Sequence, residues 1–130
     1  LEVQAARLAA ATSNSDDIAE LEGQLATMES HVDGDYGAFV AADMHFHQTI
    51  AGAADNALLE DLLQSIRSLI RVWVERGLND SDHARVACTE HRAVLEALRD
   101  HDADAAASAM STHMDSARRL LLGFLDTSAA

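Results

Sequence analysis

Apolar residues recur along this chain at intervals of three and four, the period of an amphipathic helix, and nowhere alternate with polar ones over the length of a strand. A first stretch puts Val3, Ala6, Leu8 and Ala10 on one side. It opens without a Ser, Thr, Asn or Asp to cap it, which predicts a start cut from something longer. Ser13 with Asp16 three residues on predicts a capping box for a second helix, whose Ile18, Leu21, Leu25 and Met28 series runs to about His31. Gly34 and Gly37, among Asp33 and Asp35, mark a turn, and a third helix spans Phe39 to about Ala53. Asp55-Asn56 caps a fourth helix, which runs through Leu58, Leu59, Leu62, Leu63, Ile66, Leu69, Ile70 and Trp73 towards Gly77. It is apolar over more than half its circumference, the mark of a central helix or of one that meets a partner subunit. Asn79-Asp80-Ser81 caps a fifth helix ending near Asp100. Asp102 opens a sixth that closes near Gly123 and Phe124, leaving 126–130 as a frayed tail. The expectation is an all-α domain of six helices.

Four polar residues break this pattern where it predicts core. Asp43 and His47, one turn apart, share a face with Tyr36, Phe39, Val40 and Ile50. His91 falls among Ala87, Cys88, Val94 and Leu95, and His113 among Ala106, Ala109, Met110 and Ala117. A polar group left unpaired in such surroundings costs about 1–3 kcal/mol, and an ionised carboxylate more. A single divalent cation held by Asp43, His47, His91 and His113 removes that cost. Imidazole and carboxylate donors suit Zn²⁺ first, with Ni²⁺, Co²⁺ or Mn²⁺ as alternatives, rather than Ca²⁺ or Mg²⁺. The competing reading is that each histidine is a satisfied core residue; three on separate core stripes beside an inward aspartate favour the metal. His45, His31, His83 and His101 lie off these stripes or near helix ends and read as surface residues.

Composition narrows the function. At 130 residues the chain makes one domain, and its lack of proline and its six glycines suit helices. Nine basic residues against 22 acidic ones give a net charge of −13, which would repel a phosphate backbone, so this chain by itself is not expected to bind DNA. The single cysteine, Cys88, excludes an internal disulfide and fits a reducing compartment, with the cytoplasm as the default. No run reaches the ~20 apolar residues of a membrane span, and the first residues do not resemble a signal peptide.

Enzyme motifs are missing: there is no nucleophile elbow, no Gly-rich phosphate loop and no His-Glu-x-x-His helix. Glu90 could serve a metal-bound water as general base, but its position beside His91 on a helix directs it to solvent. Arg67 and Arg71, one turn apart on the fourth helix, are candidates to hold a carboxylate bidentately next to the metal. The alternative is that they reach the surface or pair with Glu75. A metal-dependent helical enzyme, or a purely structural metal-bound dimerisation bundle, are the other readings of the same residues.

The segments Asp43-Met44-His45-Phe46-His47-Gln48-Thr49-Ile50-Ala51, Glu90-His91-Arg92-Ala93-Val94-Leu95 and Met110-Ser111-Thr112-His113-Met114 resemble, in order and spacing, the FCD ligand-binding domain of GntR-type transcription regulators. The opening Ala5-Ala6-Arg7-Leu8-Ala9-Ala10 resembles that family's first domain helix. The resemblance implies an antiparallel six-helix bundle over residues 1–125. Its central cavity would hold a metal at Asp43, His47, His91 and His113, with a small carboxylic acid coordinated to it. It also implies a non-enzymatic sensor that forms a homodimer and reaches DNA only through a winged helix-turn-helix domain placed before the segment where this chain begins.

Overall fold

A computed structural model describes the backbone of residues 1–129 and the side chains of residues 1–123. Among them the chain forms six helices: α1 (Glu2–Thr12), α2 (Ser15–Glu29), α3 (Tyr36–Ala53), α4 (Ala57–Gly77), α5 (Ser81–Arg99) and α6 (Ala103–Ala129). The all-α expectation therefore holds, and the boundaries follow side-chain caps. Asn56 accepts from the Leu59 amide to start α4, and Asp80 accepts from the His83 amide to start α5. The capping box of α2 lies one residue later than Ser13 and Asp16: Asn14 and Asp17 exchange the two bonds, because the Ser13 amide still closes the last turn of α1 on the Ala9 carbonyl. The backbone of α6 continues past Gly123 and Phe124 to Ala129; the side chains of the tail expected at 126–130 lie outside the described residues.

Three connections turn on a residue in the left-handed region, Asp35, Asp55 and His101, with φ of 53°, 54° and 55°. These are residue types that tolerate that conformation better than most. Short connections fold the chain back on itself. α1 packs on α6 and α3, α2 on α3 and α5, and α5 on α6, while α4 lies against α3 and more lightly against α6. The core holds Leu21, Leu25, Met28, Phe46, Leu95 and Met110, each at most 1% exposed.

Two helices differ from the pattern reading. The buried face of α1 is Ala5, Ala6, Ala9 and Ala10 together with Glu2, whereas Leu8 is 40% exposed. Small side chains let α1 approach its neighbours closely. The fourth helix is not central: only Leu59, Leu63 and Gly77 are buried along it, and Leu58, Leu62, Ile66, Leu69, Val72 and Trp73 are exposed. No described helix is long and apolar enough to cross a membrane.

Candidate metal centre

The helices α3, α5 and α6 bring Asp43, His47, His91 and His113 together, with one candidate ligand atom from each lying within 4.8 Å of the others. All four are buried, between 1% and 9% exposed. The i, i+4 spacing on α3 sets Asp43 Oδ1 3.3 Å from His47 Nε2. Across the core, His91 Nε2 lies 2.7 Å from the same Oδ1. The imidazoles pack on one another and on Phe46, with 4.3 Å between the ring centres of His91 and His113 and 4.6 Å between those of Phe46 and His91.

Each imidazole is tied through Nδ1. His47 Nδ1 meets Glu2 Oε2 at 3.0 Å, His91 Nδ1 meets the Ala87 carbonyl at 2.6 Å, and His113 Nδ1 meets Glu90 Oε1 at 3.0 Å. A ring whose Nδ1–H donates to such an acceptor carries a lone pair on Nε2, as a metal-binding histidine does. At His91, burial, helped by the neighbouring His113 and His47, pulls the ring down to about 4 against the pull of Asp43, and its Nδ1 donates to the Ala87 carbonyl. Its Nε2 lies 2.7 Å from Asp43 Oδ1, an approach that a shared proton or a metal cation satisfies. His47 Nε2 is buried and without a hydrogen-bond partner. The unpartnered His47 Nε2 and the three-imidazole, one-carboxylate donor set fit a divalent transition metal.

The surrounding charges point the same way. Burial opposes ionisation of Asp43, yet His47, His91 and Arg67 outweigh it and hold its carboxyl well below the usual range. The balance at Glu2 is similar, with His47 and Arg67 overcoming burial to bring it to about 2. At Glu90, burial is outweighed by the donors His113 and Ser116, and its carboxyl is also lowered. Burial and Arg67 oppose a charge on His47, but Glu2 and Asp43 raise it above its ordinary value. Three carboxylates and the Arg67 guanidinium thus surround the three rings, leaving two negative charges uncompensated among these groups when the rings are neutral.

Arg67 points inward, its Nε 2.7 Å from Glu2 Oε1 and its Nη1 3.4 Å from Asp43 Oδ2. Arg71 is exposed and pairs with Glu75 at 3.0 Å, although it also lines the rim of a cavity of about 210 Å³ with Glu2, His47, Gln48, Gln64 and Arg67. Arg67 lies between this polar cavity and an apolar one of about 120 Å³, walled by Phe39, Val74, Leu78 and Leu120. Glu90 faces inward rather than to solvent, because α6 supplies His113 and Ser116 as donors for its two oxygens. Glu2 stood outside the sequence expectation altogether. Its signal was its place on the Ala5, Ala6 and Ala9 stripe, three, four and seven residues before them. Cys88 is buried, and burial with help from Glu29 raises its thiol to about 11. His45 and His83 are exposed as expected, His31 is half-buried, and His101 is exposed with its Nδ1 on the Ala10 carbonyl.

The profile of the FCD domain family matches residues 1–116. The chain is 34% identical over 117 residues to the galactonate operon transcriptional repressor of Escherichia coli, covering 89% of this chain and 51% of that protein. It is 30% identical over 130 residues to the Uxu operon transcriptional regulator of the same organism, covering 95% and 51%. A solved structure of Streptococcus agalactiae GntR superposes with a TM-score of 0.77 at 27% identity, covering 92% of this chain and 53% of that one. The chain spans about half the length of these relatives. Residues 1–116, which carry all four candidate metal ligands, place the chain in the FCD domain family of GntR-type transcription regulators.

Proposed function

We propose that this domain is the effector sensor of a cytoplasmic transcription regulator: it binds a divalent metal, zinc first, at Asp43, His47, His91 and His113 and takes up a small organic acid beside it. The observation that carries the reading is the convergence of three imidazoles, each tied through Nδ1, and one carboxylate whose candidate ligand atoms lie within 4.8 Å of one another. A divalent cation would compensate the two excess negative charges and, when bound, supply a Lewis-acid contact for an incoming carboxylate.

The acid would enter the polar cavity, where Arg67 and Arg71 offer guanidinium groups and Gln48, Gln64 and Ser68 offer hydrogen bonds. That lining suits a polyhydroxylated carboxylate, a class that includes the galactonate of one relative's name. Regulation would follow from a difference in the acid's affinity for two helix arrangements, since only such a difference shifts an equilibrium between them. The signal would pass to a DNA-binding domain of the full-length regulator and across a homodimer. The exposed apolar face of α4 is the surface that supports pairing of two copies.

Elemental analysis of the purified protein with an anomalous-scattering map tests the reading. About one transition metal per chain at the four residues is expected. No metal after incubation with Zn²⁺ or Ni²⁺ at neutral pH would overturn it. Calorimetric titration of the zinc-loaded protein with galactonate then tests the acid class.

A further inference from the structure

We infer that Glu2 is a positioning residue of the metal centre and couples its occupancy to the first turn of α1; the inference rests on the metal reading above. Glu2 divides its carboxylate between two helices. Oε2 accepts from His47 Nδ1 on α3 at 3.0 Å, and Oε1 accepts from Arg67 Nε on α4 at 2.7 Å. It is 7% exposed, while Leu1 beside it is 57% exposed.

The far end of α1 is tied by Thr12 Oγ1 to the Ala53 carbonyl and by His101 Nδ1 to the Ala10 carbonyl, well away from the first turn. The other buried residues of α1 are four alanines, none of which offers a polar side chain. The pair Arg7–Asp104 sits at the surface, with side chains 46% and 90% exposed, and contributes little in water. An open groove of about 320 Å³, lined by Val3, Leu63, Ile66, Ile70 and Met114, flanks Glu2 and leaves the first turn room to shift. Among the described polar contacts of α1, the one that reaches the centre is Glu2.

Coordination through His47 Nε2 fixes the ring proton on Nδ1 and polarises that N–H, which strengthens the bond to Glu2. The metal therefore tightens the anchor of α1. Linkage makes the effect reciprocal: whatever factor the metal adds to the docking of this turn, Glu2 adds to the affinity for the metal. Outer carboxylates of this kind are worth roughly ten- to a hundredfold in metal affinity.

The experiment uses the 130-residue chain, its Glu2→Gln and Glu2→Ala variants, and zinc alone as the probe. Zinc affinity is read by chelator competition. Docking of the first turn is read from exchange of the Ala5 amide, which closes that turn on the Leu1 carbonyl at 2.9 Å. Zinc is expected to slow Ala5 exchange in the parent and to leave it unchanged in Glu2→Ala. Both variants should bind zinc more weakly, by roughly ten- to a hundredfold for Glu2→Ala. Zinc binding to the parent that leaves Ala5 exchange untouched, or to Glu2→Ala with parental affinity, overturns the inference and spares the metal reading. A parent that binds no zinc overturns both. Should the variants fail to fold, the parent's exchange with and without zinc decides alone.

Discussion

His91 Nε2 lies 2.7 Å from Asp43 Oδ1 across 48 residues of sequence, joining α5 to α3 inside the bundle. A metal held by these two residues with His47 and His113 would fasten α3, α5 and α6 together. Replacing His91 or His113 with alanine is expected to abolish stoichiometric zinc binding. It should also remove the thermal stabilisation that zinc confers, about 2.7 kcal/mol at free metal ~100 times Kd. Metal content by plasma mass spectrometry and melting with and without zinc check it. Parental metal content in both variants would sink the assignment.

The pH dependence of the metal-free protein has a sign on each side. His47 is raised above 6.5 by Glu2 and Asp43 against the opposition of burial and Arg67. The stability it contributes is therefore present below about 6.5 and lost as pH rises through its raised value. His91, lowered by burial to about 4, acts oppositely: unfolding lets it take up a proton, so stability falls as pH drops from 6.5 towards 4. From these two groups the metal-free domain is most stable near pH 6.5. Zinc shifts the balance, because each ligand must be deprotonated. Zinc affinity should weaken with falling pH, by about tenfold per unit below the His47 value from that proton alone. Melting curves and zinc titrations across neutral pH test both slopes; zinc affinity flat with pH would contradict the role of His47.

Glu90 is a half-buried carboxylate whose oxygens accept from His113 Nδ1 at 3.0 Å and Ser116 Oγ at 2.5 Å. It fixes the His113 ring from outside the ligand set. Glu90→Gln is expected to lower zinc affinity by about tenfold or somewhat more, with the fold retained, and chelator competition gives the number. Parental affinity in this variant would assign Glu90 to packing alone.

How much of this was legible depended on the range of the interaction. Asp43 and His47 declare themselves because a four-residue spacing on one helix is a local fact, and the stripe of Phe39, Val40 and Ile50 around them fixes which way they face. His91 and His113 follow from the same periodicity on α5 and α6. Their mutual approach, and that of His91 to Asp43, is set by packing between helices that no spacing encodes. Glu90 defeats pattern reading for that reason: its helix face looks solvent-directed until α6 delivers two donors to it. Arg67 and Arg71 share a face by spacing, yet one reaches Glu2 and Asp43 while the other stops at Glu75, since the bundle closes over the first and not the second. The capping box slipped by one residue because Ser13 and Asn14 are both good caps, and the Ala9 carbonyl decides between them.

The outer face of α4 supplies the last prediction. Leu58, Leu62, Ile66, Leu69 and Trp73 follow one another at steps of four, four, three and four, so they form a continuous apolar stripe, and Leu69 is 78% exposed. A stripe of this kind in water favours a second apolar surface, and a symmetric pairing of two copies satisfies it with one patch. Leu69→Lys puts a charge at that patch, where burial against a partner without a counter-ion would be strongly unfavourable. The parent is expected to sediment as a dimer and Leu69→Lys as a monomer. Zinc content should stay the same in both, because Leu69 faces away from the ligand cluster. A parent that is monomeric at all concentrations, or a variant that remains dimeric, would remove α4 as the pairing surface.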